Sequence, residues 1–167
     1  MRQFREPDGA AGFLRLKLQK FSHMNTVTAV WGPDWAWSLP LIALTVVIHT
    51  TGLGFIGGLV PRLRQTLFRR HQFAVVGVTA TLITCLHALE AVIWAAAYRL
   101  LGAMPSFHEA ILYSLSAITS YGHTKFTLAL KWELMGALES LNGWIVFGLS
   151  TAFLFSILQR EWQRNSG

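Results

Sequence analysis

The chain has 167 residues and a formal net charge of +6, yet only 13% of its residues are charged, against about 25% in soluble proteins. With a mean hydropathy of +0.42 it has too little polar surface for a soluble domain, and its basic residues lie beside hydrophobic segments rather than on an aromatic-rich basic face, which argues against nucleic-acid binding. The single cysteine, Cys85, excludes an intrachain disulfide.

Residues 1–37 are predicted to form an amphipathic or interfacial segment at the N-terminus. Apolar residues interleave with Arg15, Lys17 and Lys20, as in a helix that lies in the headgroup region, and a frayed basic tail would have the same composition. These charges also interrupt any signal-peptide core, so no cleavable signal peptide is expected. Tryptophans flank a predicted Gly-Pro-Asp turn at 32–34 and place a membrane boundary there.

Residues 38–60 are uncharged and are predicted to form the first transmembrane helix, because about 20 apolar residues are needed to cross the hydrocarbon core. Pro61 is expected to end this helix. Four arginines in the following loop, 61–72, place that loop in the cytoplasm by the positive-inside rule. The glycine-rich second half of the helix would also fit a re-entrant segment, although a full span is the preferred interpretation.

A pore module is predicted over 73–160, and it begins with an outer helix at 73–101. Within this helix His87 and Glu90 share one face, and a carboxylate inside a membrane must face protein. The pair is interpreted as a hydrogen-bonded structural lock, with a metal site or a proton relay as alternatives. The metal site is disfavoured because two ligands are too few for a tetrahedral metal. His49 of the first helix is a candidate third partner, although a bond from its ring to a backbone carbonyl is the favoured interpretation.

A short pore helix is predicted at 107–118. Ser106 is a suitable N-cap, and Glu109 follows at the reciprocal position of a capping box. A helix of this length cannot span a membrane, and the negative end of its dipole would favour cations at its C-terminus. The polar run at 119–125 is predicted to be a filter loop.

An inner helix is predicted at 134–160, followed by a C-terminal tail at 161–167. Small residues along the helix suit close packing against neighbouring helices. Gly148, near the middle, is interpreted as a packing glycine, with a gating hinge as the alternative. Basic residues at the end of the helix place that end in the cytoplasm.

Three blocks of residues carry a family resemblance: LHALE at 86–90 followed by Trp94, AILYSL at 110–115, and GALE at 136–139 continuing through Gly143 to FGLSTA at 147–152. Over about 86–162 the chain resembles the small bacterial members of the potassium-channel-like family, which have two transmembrane helices and a pore loop. The resemblance implies a re-entrant pore helix and filter loop between the last two transmembrane helices, and a tetrameric pore. Together with the first transmembrane helix, it predicts an all-α integral membrane protein with three transmembrane helices and the pore loop between the second and third.

The filter departs from the family pattern. Family members read T-T-V/L-G-Y-G-D where this chain reads TSYGHTK, so only the first threonine and the first glycine are retained. Thr124 replaces a glycine whose backbone freedom the filter uses, and Lys125 replaces an acidic residue at the outer mouth. The resemblance implies an ion pathway along the filter residues: Thr119, Ser120, Tyr121, Gly122, His123 and Thr124.

Two features are expected at the outer mouth of the pore. Lys125 is expected to pair with Glu133, which stands where the family has an arginine. In a tetramer, His123 would form a ring of four imidazoles that could titrate near neutral pH or bind a divalent metal. The alternative for His123 is a hydrogen bond to a neighbouring pore helix.

The expected function is that of a tetrameric cation channel with weak or altered selectivity in the bacterial inner membrane. We expect no catalytic residues, no cofactor beyond a permeant monovalent cation and no nucleic-acid partner, whereas an accessory membrane subunit would fit. One alternative is a non-conducting subunit that keeps the pore fold and binds a partner or a ligand. Another, a metal-dependent membrane enzyme, rests on His49, His87 and Glu90, which with His123 are the weak candidates for metal binding.

Overall fold

The computed structural model describes residues 32–66, 72–122 and 125–165. Within these residues there is no strand, and the helices are α1 (Pro33–Thr66), α2 (Gln72–Leu100), α3 (Phe107–Ile118) and α4 (Glu133–Asn165), the last preceded by a short 3₁₀ turn (Leu130–Trp132). Three helical segments are long and apolar enough to cross a membrane: Asp34–Gln65, Phe73–Leu100 and Leu130–Gln163. The prediction of an all-α chain with three helices long and apolar enough to span a membrane is confirmed for the described residues.

Helix α1 begins earlier than predicted. Its first residue is Pro33, so the expected turn at 32–34 is instead a helix start. Proline suits the first helical position because that position needs no N–H partner, and Asp34 in the first turn lies at the positive end of the helix dipole. The rest of the predicted interfacial segment, 1–31, lies outside the described residues.

Helix α1 also continues past Pro61 to Thr66, so the prediction that this proline ends the helix was wrong. A proline inside a helix removes one backbone hydrogen bond, and membrane helices tolerate that loss when neighbouring helices hold both sides. Here Val60 packs against the other two long helices, and Arg64 forms an ion pair with α4. Residues 67–71 of the predicted basic loop lie outside the described residues.

The continuity of α1 decides between the two interpretations of its glycine-rich half. The helix has 34 residues, which gives a length of roughly 50 Å at 1.5 Å per residue. That length exceeds the ~30 Å hydrocarbon core, so a full span fits and a re-entrant segment does not.

The remaining helices match their predicted bounds to within one residue, except at the C-terminus. Helix α4 runs to Asn165, so the part of the predicted tail that is described, 161–165, is helical. Glu161 explains the extension, because its buried carboxylate accepts a hydrogen bond from Arg64 at 3.1 Å and anchors the last turns of α4 to α1.

Helices α1 and α4 run in the same direction. Asn142 of α4 donates to Thr45 of α1 at 2.8 Å, and the Arg64–Glu161 pair joins the two helices again near their C-terminal ends. Helix α2 runs in the opposite direction, and the bundle is closed at both ends by apolar clusters. One end contains Leu53, Ile56, Val60, Val75, Ile83 and Ile157; the other contains Trp94, Tyr98, Met104, Leu128, Trp132 and Met135.

Between the apolar clusters lies a buried polar zone. Its fully or almost fully buried polar side chains include His49, Glu90, Ser114, Glu139, Asn142 and Ser150. The hydrocarbon core contains no water to satisfy such groups, so each must find partners within the protein. The candidate functional side chains therefore lie in the middle of the bundle, where they contact one another.

Helix α3 descends from one end of the bundle towards this polar zone. Ser106 caps its start by accepting a hydrogen bond from the Glu109 N–H at 3.2 Å, as predicted. Its 12 residues give a length of only ~18 Å, and its last residue, Ile118, lies against the backbone of Gly143 in α4. The chain then returns, because Leu128 packs in the apolar cluster that also contains Met104, near the start of α3.

Candidate functional site

Four buried or half-buried side chains form a closed ring between α1, α2 and α4. Glu90 Oε1 lies 2.7 Å from His49 Nδ1, and the other nitrogen of His49 lies 3.0 Å from Ser150 Oγ. The same hydroxyl lies 3.0 Å from His87 Nε2, and His87 Nδ1 lies 3.5 Å from Glu90 Oε2. The two imidazole rings are 5.0 Å apart.

The ring corrects one prediction and extends another. His49 is not satisfied by a backbone carbonyl; its two ring nitrogens contact a carboxylate and a hydroxyl. The His87–Glu90 lock is therefore part of a larger network. Ser150 was missed because a serine in a small-residue stretch is typical of helix packing, although a polar residue at bilayer depth is itself a signal for such a network.

The residues of the ring could also hold a metal ion. His49, His87 and Glu90 each offer one ligand atom, and these atoms all lie within 4.8 Å of one another. The objection that two ligands are too few does not apply, because α1 supplies the third. His123, the other weak candidate for metal binding, lies outside the described residues.

A second polar cluster surrounds Glu139, the fully buried acid near the start of α4. Tyr98 of α2 donates to its Oε2 at 2.6 Å, and Ser114 of α3 contacts its Oε1. Ser114 Oγ also bonds the carbonyl oxygen of Ala91 at 2.8 Å. Three helices therefore meet at this carboxyl group, which fixes the height of α3 in the bundle.

The hydrogen bonds that end α3 explain the left-handed backbone conformation of Ser120. The N–H of Ser120 donates to Ala117 O and that of Tyr121 to Ser116 O, both at 2.9 Å. This pair of bonds is the Schellman motif, which requires a left-handed residue after the helix, and Ser120 has φ 54°. Its side chain gains a partner in return, because Trp144 Nε1 donates to Ser120 Oγ at 2.9 Å.

We expect this left-handed position to show in stability. The variants Ser120→Gly and Ser120→Ala both lose the Trp144 hydrogen bond, but only glycine removes the steric cost of positive φ. Ser120→Gly should therefore be more stable than Ser120→Ala by about 1 kcal/mol. Thermal unfolding of the two purified variants in one detergent measures the difference, and equal midpoints would contradict the assignment.

The residues predicted to form the filter lie, where they are described, at the surface of the single chain. Thr119, Ser120, Tyr121 and Gly122 are exposed, and Gly122 has φ 70°, a backbone conformation that glycine adopts readily. The hydroxyl of Thr119 donates to Leu115 O at 2.6 Å. The first two filter residues thus complete the cap of α3, and residues 123–124 lie outside the described part of the chain.

The outer-mouth residues do not form the expected pair within one chain. Lys125 and Glu133 are both exposed, and no ion pair joins them in the described ranges. The neighbouring Lys131 instead places its ammonium 5.3 Å from the centre of the Trp132 ring. The charge of Lys125 therefore stays at the surface of the loop.

A mostly apolar groove of about 420 Å³ connects the loop with the ring of polar side chains. Its walls come from α2, from the end of α3 and from α4: Thr84, His87, Ile118, Thr119, Ser120, Gly143, Trp144 and Phe147. His87 belongs to both features, since its side chain is 24% exposed and also contacts Ser150. The groove therefore reaches the ring of polar side chains at His87.

Gly148 lies on the exposed side of α4, and a Cβ at this position would have nothing within 4 Å. Packing inside one chain therefore gives no reason for a glycine here, and the hinge stays a prediction. Gly136 and Gly143 are the α4 glycines that contact α3, where a Cβ would meet Tyr113 and Ile118 respectively.

Comparisons of the chain with protein-family models, with curated proteins and with solved structures found no match.

Proposed function

We propose that the chain assembles as a homotetrameric, channel-like pore in the bacterial inner membrane, with a cation pathway that is weakly or differently selective. The single observation that carries the proposal is the course of α3. It starts at the Met104 end of the bundle, stops beside Gly143 at mid-bundle, and the chain then returns to the starting end. A half-depth helix followed by irregular backbone is tolerated in a membrane where it is buried in protein or lines a water-filled path.

The position of the α3 C-terminus supports a cation pathway rather than an anion pathway. The last carbonyls of a helix carry the negative end of its dipole, and α3 ends beside the groove, where Ile118 and Thr119 form part of the wall. Glycine at 122, with its positive φ, keeps a backbone conformation of the kind that pore filters use. Lys125 opposes this field at the loop surface and would lower the local cation concentration, whereas the altered filter sequence TSYGHTK is the reason for expecting weak or different selectivity.

A flux measurement in liposomes tests the proposal. Purified protein is reconstituted, and potassium, sodium and chloride fluxes are compared under equal gradients. Cation flux that exceeds chloride flux, with little discrimination between potassium and sodium, is the expected result. Strong selectivity for potassium would show that the altered filter works as a conventional one, and a mass measurement of the reconstituted complex checks the tetramer.

The charge of Lys125 offers a sharper test of the same pathway. Replacing it with aspartate should raise cation flux on the order of tenfold, because acidic residues at a narrow mouth concentrate cations locally. The matched control is Lys131→Asp, which makes the same charge change on a residue that faces Trp132 rather than the loop. Equal effects of both substitutions would mean that overall charge, and not the loop, controls the flux.

One observation favours the second candidate, a non-conducting subunit that keeps the pore fold. Thr119 and Ser120 complete the cap of α3, and the indole of Trp144 binds the Ser120 hydroxyl. A loop whose first residues are held in this way is less free to turn its carbonyl groups towards an ion. Reconstituted protein that stays silent to all three ions but copurifies with another membrane protein would support this candidate over the first.

A further inference from the structure

The ring of His49, Glu90, His87 and Ser150 has four polar contacts, but its side chains carry fewer than four hydrogens that can be donated to them. Two neutral imidazoles carry one N–H each, the serine carries one O–H, and an ionised carboxylate carries none. The ring has four contacts, so three protons leave one contact with two acceptors facing each other. This count does not depend on which tautomer either histidine adopts.

The geometry identifies the unfilled contact. His87 Nδ1 and Glu90 Oε2 are 3.5 Å apart, the longest separation in the ring, and this carboxylate oxygen has no hydrogen-bond partner in the part of the chain that the structure describes. Glu90 is fully buried. An unpaired carboxylate oxygen in a membrane interior is costly, and either a fourth proton or a metal cation at this point would remove that cost.

We propose that His49, His87 and Glu90 bind one divalent transition-metal ion of the zinc class. Their ligand atoms lie within 4.8 Å of one another, and two imidazoles with one carboxylate match the donor set of a three-ligand zinc site with an open fourth position. His87 and Glu90 are three residues apart on α2, so both face the same side of the helix; metal-binding helical bundles use the same spacing in the reverse order, with the glutamate before the histidine. Ser150 Oγ lies 3.0 Å from the Nε2 atom of each ring, on the side away from Glu90, and holds both imidazoles with their Nδ1 atoms towards the carboxylate.

The site is accessible although it is buried. The side chain of His87 is 24% exposed and forms part of the groove wall, so an ion can enter from the groove. Nitrogen donors favour zinc and its transition-metal neighbours over magnesium and calcium, which prefer oxygen ligands. A bound ion would join α1 and α2 through their side chains at mid-bundle, with α4 beside it.

Glutamine at position 90 is the informative substitution. Its amide can donate to His87 Nδ1 while its carbonyl accepts from His49, so all four contacts are filled without any cation. Glu90→Gln should therefore fold, and it should bind zinc at least about 100-fold more weakly than the wild-type chain. The matched control is His108→Gln, because His108 is exposed near the start of α3 and away from the ring.

The experiment uses the full chain in detergent, freed of metal and then loaded with zinc. Elemental analysis is expected to find one zinc per wild-type chain and per His108→Gln chain, and little in Glu90→Gln. Cobalt loaded in place of zinc should give the absorption spectrum of a site with nitrogen ligands in the wild-type chain, a readout that does not require the variant to fold.

Two outcomes would overturn the metal site. A wild-type chain that retains no stoichiometric metal after loading would assign the fourth contact to a proton shared by Glu90 and His87. Zinc that binds Glu90→Gln as tightly as wild type would place the metal elsewhere. Neither outcome depends on ion flux, so the proposed channel and the proposed metal site fail separately.

Discussion

Replacing Gly143 with alanine is expected to destabilise the protein by about 3 kcal/mol, at the upper end of the cost of overpacking a core. A Cβ at this position would overlap the carbonyl oxygen of Ile118 and approach its carbonyl carbon to 2.9 Å. The obstacle is backbone, so no side-chain rotation can relieve it. Ile118 cannot move away easily either, since the Schellman motif fixes the end of α3 directly after it.

The matched control for this prediction is Gly148→Ala on the same helix. Nothing lies within 4 Å of a Cβ there, so alanine should be neutral or should stabilise the helix by up to about 1 kcal/mol through its higher helix propensity. Thermal unfolding of both variants in one detergent gives the comparison. Equal losses would mean that α3 does not rest against α4 at Gly143, which would remove the main support for the half-depth helix.

Glu139→Ala is expected to cost about 3 kcal/mol, whereas Glu139→Gln should remain within about 1 kcal/mol of the wild-type chain. Alanine leaves the buried hydroxyl of Tyr98 without an acceptor and opens a cavity where α2, α3 and α4 meet. Glutamine can keep the hydrogen bonds to both Tyr98 and Ser114, because the contacts of Ser114 require a donor at residue 139. Ser114 has one hydroxyl hydrogen but contacts both the Ala91 carbonyl and the Glu139 carboxyl group.

The Ala91 carbonyl can only accept, so Ser114 donates its hydrogen there. Residue 139 must therefore donate the other hydrogen bond, to Ser114 Oγ. A protonated carboxyl group can donate this hydrogen bond, and so can a glutamine amide, whereas an ionised carboxylate cannot. Unfolding midpoints of the two variants in detergent, with Tyr98→Phe as a single-bond control, measure the effect. A Glu139→Gln variant as unstable as Glu139→Ala would show that the negative charge itself is required.

The helices could be predicted closely because their signals are local. Apolar stretches of sufficient length, with few charges, define the spans, and the break after Leu101 together with the Ser106 cap defines the start of α3. The errors occurred where a local rule competes with tertiary packing. Pro61 carries a stop signal for an isolated helix, but the contacts of Val60 and Arg64 hold the helix together on both sides.

The candidate site could be predicted only in part. His87 and Glu90 are three residues apart, so helical periodicity alone places them on one face. The partners of Glu139, Tyr98 and Ser114, are each more than twenty residues from it in the chain, at separations of 41 and 25. No periodicity relates residues on different helices, and only the packing of those helices brings them together.

The sequence by itself determined that this is an all-α membrane chain with three spans, a short capped helix before the last span, and a mid-membrane histidine and glutamate on one face. These features follow from hydropathy, helix capping and helical periodicity, which act over a few turns. Only the tertiary structure decided that His49 and Ser150 close a ring with that pair, and that α3 stops at mid-bundle against Gly143. The reason is physical: buried polar groups take whichever partners the helix register provides, and the register is set by packing along the whole bundle.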